Sequence, residues 1–378
     1  MQRLKIFSDL RGAARLACDA TIGVTSVVER VHGNVLGLPP VLSKDQHRPG
    51  AGPARLVYSA IRGTTRLVRG TVDLGLAPWS SHDPETENAP ARDALVAALN
   101  GACGDYLERS GNPLATTMRL RTRLHEATDT SHNHGPRLLV LAHGLCMNDR
   151  QWTRKGHDHG TALQKSLGLT PLYLRYNSGL SVQDNGYRLS ELLEREVVSA
   201  TEPVESVDLL GYSLGGLLVR SAYAAAVEQE HSWPSLLRKI VFLGTPHDGA
   251  PLERGGNVLD KILLRSPYLA PFSIPGKARS LGIQNLGHGV SAASAPLPGN
   301  VACFAVAGAL ADDPSRPGAA WIGDGLVPVA SALGHGRAGN PGLGIPQYRQ
   351  WIAPGLGHLD LLSDAAVFKK LEYWLAFN

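Results

Sequence analysis

Apolar residues along the chain fall into two regimes. From residue 8 to residue 126 they recur at helical spacing, and from about residue 136 they gather in short runs separated by helix-length segments. The first regime predicts helices over 8–35, 54–77, 91–107 and 112–126. In the second of these Leu56, Ile61, Leu67, Val68 and Val72 share one stripe, with Arg62, Arg66 and Arg69 nearer the other face. Gly37-Leu38-Pro39-Pro40 and Pro49-Gly50-Ala51-Gly52-Pro53 break the first two helices apart. Residues 78–90 read as an exposed loop. The polar stretch His125 to Gly135 marks a boundary, giving an N-terminal helical accessory region over 1–130 and a second domain over 136–378.

In the second regime, strands are predicted at Leu138–Leu141, Leu172–Leu174, Val207–Leu210, Ile240–Leu243, Val301–Val306 and Gln350–Ala353, and helices at 184–200, 214–228 and 363–375. Short apolar runs alternating with helices imply βαβ units, hence an α/β fold with a mostly parallel sheet covered by helices on both faces. Residues 250–298 interrupt the rhythm. They are rich in Gly and Pro and follow a strand directly, so they read as a cap inserted over the C-terminal edge of the sheet, where open α/β sheets bind ligands.

Composition narrows the class. The 378 residues are 43% hydrophobic and 19% charged, as in a soluble globular protein. No run approaches the length of a spanning helix, and Asp9, Arg11 and Arg15 interrupt anything resembling a secretory signal. Cys18, Cys103, Cys146 and Cys303 have neither metal spacing nor a compact disulfide pattern, which suits free thiols in the cytoplasm. The net charge of +4 is uneven: residues 1–77 hold 11 Lys/Arg against 5 Asp/Glu, the remainder 26 against 28. The basic residues are not interleaved with aromatics, so no nucleic-acid partner is indicated. Contact of the basic N-terminal helices with anionic lipid is one expectation, and packing as an accessory layer is the other.

The chemistry gathers in the second domain. Gly211-Tyr212-Ser213-Leu214-Gly215 matches G-x-S-x-G, between an apolar strand and an Ala-rich helix, which is the strand–turn–helix of a nucleophile elbow. Ser213 is the candidate nucleophile. A serine needs a base, and His358, in the loop after the last strand, is placed to supply it. With the chain order serine, acid, histidine, the acid falls between them. Asp324 in Gly323-Asp324-Gly325 is favoured over its rival Asp248, and Asp360 lies too close in sequence to His358. The amides of Leu145, in His143-Gly144-Leu145-Cys146, and of Leu214 are the candidate oxyanion donors, with His143 supporting the loop. His132/His134 and His157/Asp158/His159 lack spaced Cys or carboxylate companions, so neither a metal nor a cofactor is expected. Leu263, Leu264, Tyr268, Leu269, Pro271 and Phe272 either line an acyl pocket or form the core of the cap.

With these motifs, and with Gly244-Thr245-Pro246-His247-Asp248-Gly249, residues 136–378 resemble the bacterial lipases and esterases of the α/β-hydrolase superfamily, and also the GPI inositol-deacylase-like group. The resemblance implies hydrolysis of carboxylic esters without a cofactor, with small-molecule or lipid esters as partners. Medium or long acyl chains are favoured. A short-chain esterase or polyester depolymerase, a thioesterase or transacylase, and a non-catalytic lipid- or granule-surface protein are the alternatives. Residues 1–130 lie outside the resemblance.

Overall fold

The computed structural model describes residues 2–36, 53–76, 90–122, 135–250, 280–290, 295–315, 318–337 and 340–376. The chain divides into two compact units, residues 1–86 with 107–114, and residues 87–106 with 115–378. In the smaller unit, α1 (Gln2–Leu36) and α2 (Pro53–Leu76) form an antiparallel hairpin. Arg11 and Arg15 pair with Asp73, Arg69 with Asp19, and Arg62 with Glu29. The partner numbers fall along α2 as they rise along α1, which fixes the antiparallel sense. Asn112 donates from Nδ2 to the Gly12 carbonyl at 3.0 Å, tying residues 107–114 to α1.

The larger unit is built on a seven-stranded sheet. In chain order its strands are β1 (Arg119–Arg121), β2 (Arg137–Ala142), β3 (Thr170–Arg175), β4 (Ser206–Tyr212), β5 (Leu237–Leu243), β6 (Ala302–Ala309) and β9 (Gln350–Pro354). A separate two-stranded ladder of β7 (Gly336–Arg337) and β8 (Asn340–Pro341) precedes the last of these. The spatial order is β1-β3-β2-β4-β5-β6-β9, parallel throughout except for β1 at one edge. The central strands are apolar on both sides because both sides are covered. Leu138, Val140, Leu209, Ile240 and Phe242 face α5 (Val182–Val198) and α6 (Leu214–Glu228). Leu139, Leu141, Leu210 and Val241 face α4 (His159–Leu167) and the C-terminal helix α10 (Ala365–Ala376), which contributes Val367, Leu371 and Trp374. This is the mostly parallel, helix-flanked sheet expected from the sequence.

Two features depart from the expectation. The helix predicted over 112–126 is absent among its described residues. Gly111 takes a φ of +57°, Pro113 follows, and Arg119–Arg121 then pair antiparallel with Tyr173–Arg175. Half-buried Met118 and Leu120 pack on the sheet core, so an edge strand prevails over a weak helical pattern. Secondly, the larger unit begins ahead of residue 136. It takes in residues 90–106 of the kinked helix α3 (Pro90–Arg109), together with β1. Within 250–298, α7 (Leu281–His288) is described, and the apolar set from Leu263 to Phe272 lies outside the described residues. So do His132 and His134. Two short helices, α8 (Ala319–Ile322) and α9 (Val329–Ala332), flank the loop that carries Asp324.

Candidate active site

Strand β4 ends at Tyr212 and α6 begins at Leu214, so Ser213 alone makes the turn. Its backbone sits at φ +53°, ψ −123°, a region that costs a residue with a side chain about 1–3 kcal/mol. The surroundings hold it there: Ser213 N–H donates to the Leu243 carbonyl at 2.9 Å, and Gly216 N–H to the Ser213 carbonyl at 3.0 Å. Two glycines make the turn possible. A Cβ on Gly211 would lie 2.5 Å from Gly216 Cα, and one on Gly215 would lie 2.1 Å from the Ala142 carbonyl oxygen. Gly144 passes close above, where a Cβ would stand 3.2 Å from that of Ser213.

His358 opens the short turn 358–362 that follows β9. Its Nδ1 donates to Asp324 Oδ2 at 2.7 Å, and its backbone N–H donates to the Asp324 carbonyl at 3.0 Å. Asp324 is fully buried, and its other carboxylate oxygen accepts from the amides of Leu326 at 3.0 Å and Val327 at 2.8 Å. A carboxylate that accepts from Nδ1–H leaves Nε2 as the basic nitrogen of the neutral ring. The imidazole reaches the elbow through its neighbours. The ring of Tyr212 lies 4.9 Å from it, with the Tyr212 hydroxyl donating to the His358 carbonyl at 3.2 Å. Gly244, the next residue after the carbonyl that binds Ser213, stands where a Cβ would be 3.1 Å from His358 Nδ1. Ser213, Asp324 and His358 thus come from three loops at the C-terminal ends of β4, β6 and β9.

The rival acids are engaged elsewhere. Asp248 accepts from the Gly336 amide at 3.0 Å, while Asp360 pairs with Lys155 at 2.9 Å and accepts from the Gly357 amide.

Leu145 and Leu214 lie in one buried cluster with Ala98, Cys146, Leu217, Ile283 and Leu286. Among the described residues neither of their amides donates to a protein carbonyl. Cys146 adopts φ +59° and donates its amide to Ser178 Oγ at 3.0 Å, which anchors this loop. Its thiol is buried and pushed up to about 12, so it stays protonated and inert. His143 is stacked on Tyr176 at 4.3 Å and bonded through Nδ1 to the Gly144 carbonyl at 2.9 Å. Burial pushes its imidazole down to about 4, and it stays neutral.

Two contributors were not singled out in the sequence. Helix α3 lies against this loop: a Cβ on Gly101 would stand 2.2 Å from Cys146 Sγ, and one on Gly104 would overlap the Asn177 side chain. The small residues Ala97, Ala98, Gly101 and Gly104 at helical spacing were the signal for that close approach. Buried Arg220 on α6 donates to the carbonyls of Val290, at 3.2 Å, and Ala295, at 2.7 Å, and so joins these two residues.

The histidines at 157–159 serve the frame. His157 Nε2 and His159 Nδ1 are 2.8 Å apart, and His159 Nε2 donates to the Leu361 carbonyl, bracing the turn that carries His358. Among the described residues no group of three His, Cys, Asp or Glu could hold a metal ion. The four cysteines are free thiols.

No family model and no curated protein matches the sequence. Solved structures resemble it in shape. The mature lipase BlEst2 of Bacillus licheniformis is 18% identical, over 66% of this chain and 96% of that one, with a TM-score of 0.43. A lipase-esterase related protein of Clostridium acetobutylicum is 13% identical, over 69% and 98%, with a TM-score of 0.38. The metagenomic carboxyl esterase MGS0156 is 17% identical, over 61% and 66%, with a TM-score of 0.39.

Proposed function

We propose that the protein is a serine carboxylic ester hydrolase working through an acyl-enzyme on Ser213. The observation that carries this reading is the 2.7 Å bond from His358 Nδ1 to buried Asp324, formed beside a serine held at a positive φ. Asp324 fixes the ring in the tautomer whose Nε2 takes the Ser213 proton as Oγ attacks the ester carbonyl. The amides of Leu145 and Leu214 hold the resulting oxyanion. Protonated His358 returns the proton to the departing alcohol. Water, deprotonated by the same nitrogen, then attacks the acyl-enzyme and releases the acid and the free serine.

The preferred substrates are medium- or long-chain acyl esters, because the insertion 250–298 supplies apolar residues enough to enclose a chain. The Gly244–Gly249 block, typical of lipase-like hydrolases, supports this reading and is compatible with a GPI inositol-deacylase-like member, and the free thiols suit the cytoplasm. Among the described residues no helix is long and apolar enough to cross a membrane.

Hydrolysis of p-nitrophenyl esters from acetate to palmitate, by the protein and by Ser213→Ala, tests the reading. Turnover that disappears in the variant supports it, and an optimum at the longer chains supports the substrate class. An optimum at acetate would make it a short-chain esterase. Equal rates for the two proteins would remove Ser213 from the reaction.

A further inference from the structure

The helical hairpin of the smaller unit is arranged opposite to a water-soluble one. Its described ion pairs lie in the seam between the helices. Asp73 receives both Arg11 and Arg15, and these guanidiniums hold its carboxyl well below the usual carboxylate range. Arg69–Asp19 and Arg62–Glu29 continue the seam, and Thr25 is buried within it.

The outward faces are correspondingly bare of charge. From Leu10 to Val28, no described exposed position of α1 carries an ionisable side chain; Leu10, Ala17, Val24 and Val28 line that face, with Val24 64% exposed. On α2, Val57, Ile61, Thr64 and Val68 recur every three or four residues along one exposed face, with Leu67, 71% exposed, beside them. Arg66 is the one ionisable residue among the described exposed positions of α2. Exposed apolar side chains repeated along both helices call for an apolar phase.

Charge decides which phase. Residues 1–77 carry 11 Lys/Arg and only 5 Asp/Glu. That surplus repels a second copy of the same hairpin and attracts anionic headgroups. None of the described helices could cross a membrane, so the hairpin lies along the surface. We propose that the outer face of α1 and α2 docks the protein on an anionic lipid surface. This inference stands independently of the ester-hydrolase reading.

Sedimentation of the full chain with vesicles tests it. Vesicles of phosphatidylglycerol and phosphatidylcholine are compared with phosphatidylcholine alone, at low and high salt. The full chain is expected to pellet with the anionic vesicles and to be partly released by salt. Val24→Asp with Val68→Asp is expected to lower the partition roughly a hundredfold. Val198→Asp with Val227→Asp, which adds the same charge at exposed sites of the larger unit, is expected to leave partition within about twofold. Circular dichroism checks that both pairs keep their helices. A second readout needs no disruptive change: a polarity-sensitive fluorophore on Val24→Cys is expected to shift to the blue on anionic vesicles. No pelleting with either vesicle, equal loss in both pairs, or an unshifted fluorophore would overturn the proposal. So would a concentration-dependent dimer that Val24→Asp with Val68→Asp abolishes while vesicles remain unbound, which would assign the face to a second copy.

Discussion

His358 Nδ1 and Asp324 Oδ2 stand 2.7 Å apart, and the same two residues are also joined through their backbones, His358 N–H to Asp324 carbonyl at 3.0 Å. The double tie separates two roles of the acid. Asp324→Asn keeps the backbone bond and the side-chain volume but presents an amide where a carboxylate accepted from Nδ1–H, which favours the wrong tautomer. The variant is expected to keep its melting temperature within a few degrees and to lose about ten-thousandfold in kcat on a p-nitrophenyl ester. A loss below about tenfold would remove Asp324 from the proposed triad.

Gly244 is expected to tolerate no side chain. Its φ is +56°, and the added Cβ would meet His358 Nδ1 at 3.1 Å and Leu361 Cδ1 at 2.9 Å. Gly244→Ala is expected to cost about 1–2 kcal/mol of stability and to reduce kcat more than KM, because the displaced group is His358, the proposed base. Thermal melts and steady-state kinetics on the same preparation check both effects.

Acid is expected to unfold the protein through its neutral histidines. His143 and His159 are each held down to about 4 by burial, and burial also holds His247 well below the usual imidazole range. The unfolded chain therefore takes up these protons first as pH falls. The stability that each neutral ring contributes is complete above about pH 6.5 and is lost between there and about pH 4, up to about 3 kcal/mol per group. His143→Asn preserves a donor toward the Gly144 carbonyl and cannot be protonated. Its denaturant-unfolding free energy is expected to fall less steeply over that range than the wild type's, and parallel curves would count against a buried neutral His143.

Arg220→Lys is expected to loosen the described residues around Val290 and Ala295. One ammonium cannot span the Val290 and Ala295 carbonyls that the guanidinium joins. A loss of about 2–3 kcal/mol is expected, with faster proteolytic cleavage between residues 250 and 298. Unchanged cleavage would show that α7 holds the segment without Arg220.

Much of this site could be read in the sequence because it depends on local rules. Ser213 is marked by the strand before it, the helix after it and two glycines that the sharp turn requires, and all three signals lie within a few residues. His358 and Asp324 are marked by the ends of β9 and β6, which the apolar runs locate. What escaped depends on contacts distant in sequence. The helical periodicity of 112–126 is outweighed at Arg119–Arg121 by a ladder offered by β3, some fifty residues on. Arg220 in isolation reads as an ordinary helix arginine; its burial follows from a segment that folds back over α6. The role of α3 was hidden because small residues give no amphipathic signal, though they are what allow its backbone to approach Cys146.

The strand order carries a consequence for synthesis. β9, which precedes His358, pairs with β6 at one edge of the sheet and follows the other strands of that sheet in the sequence. Every other strand of the sheet, and the elbow at Ser213, can be in place before it arrives. A chain that lacks this strand would thus hold the elbow at Ser213 without the imidazole of His358. For the same reason, loss of β9 and the turn after it would leave Ser213 on the central strands but separate it from the imidazole of His358.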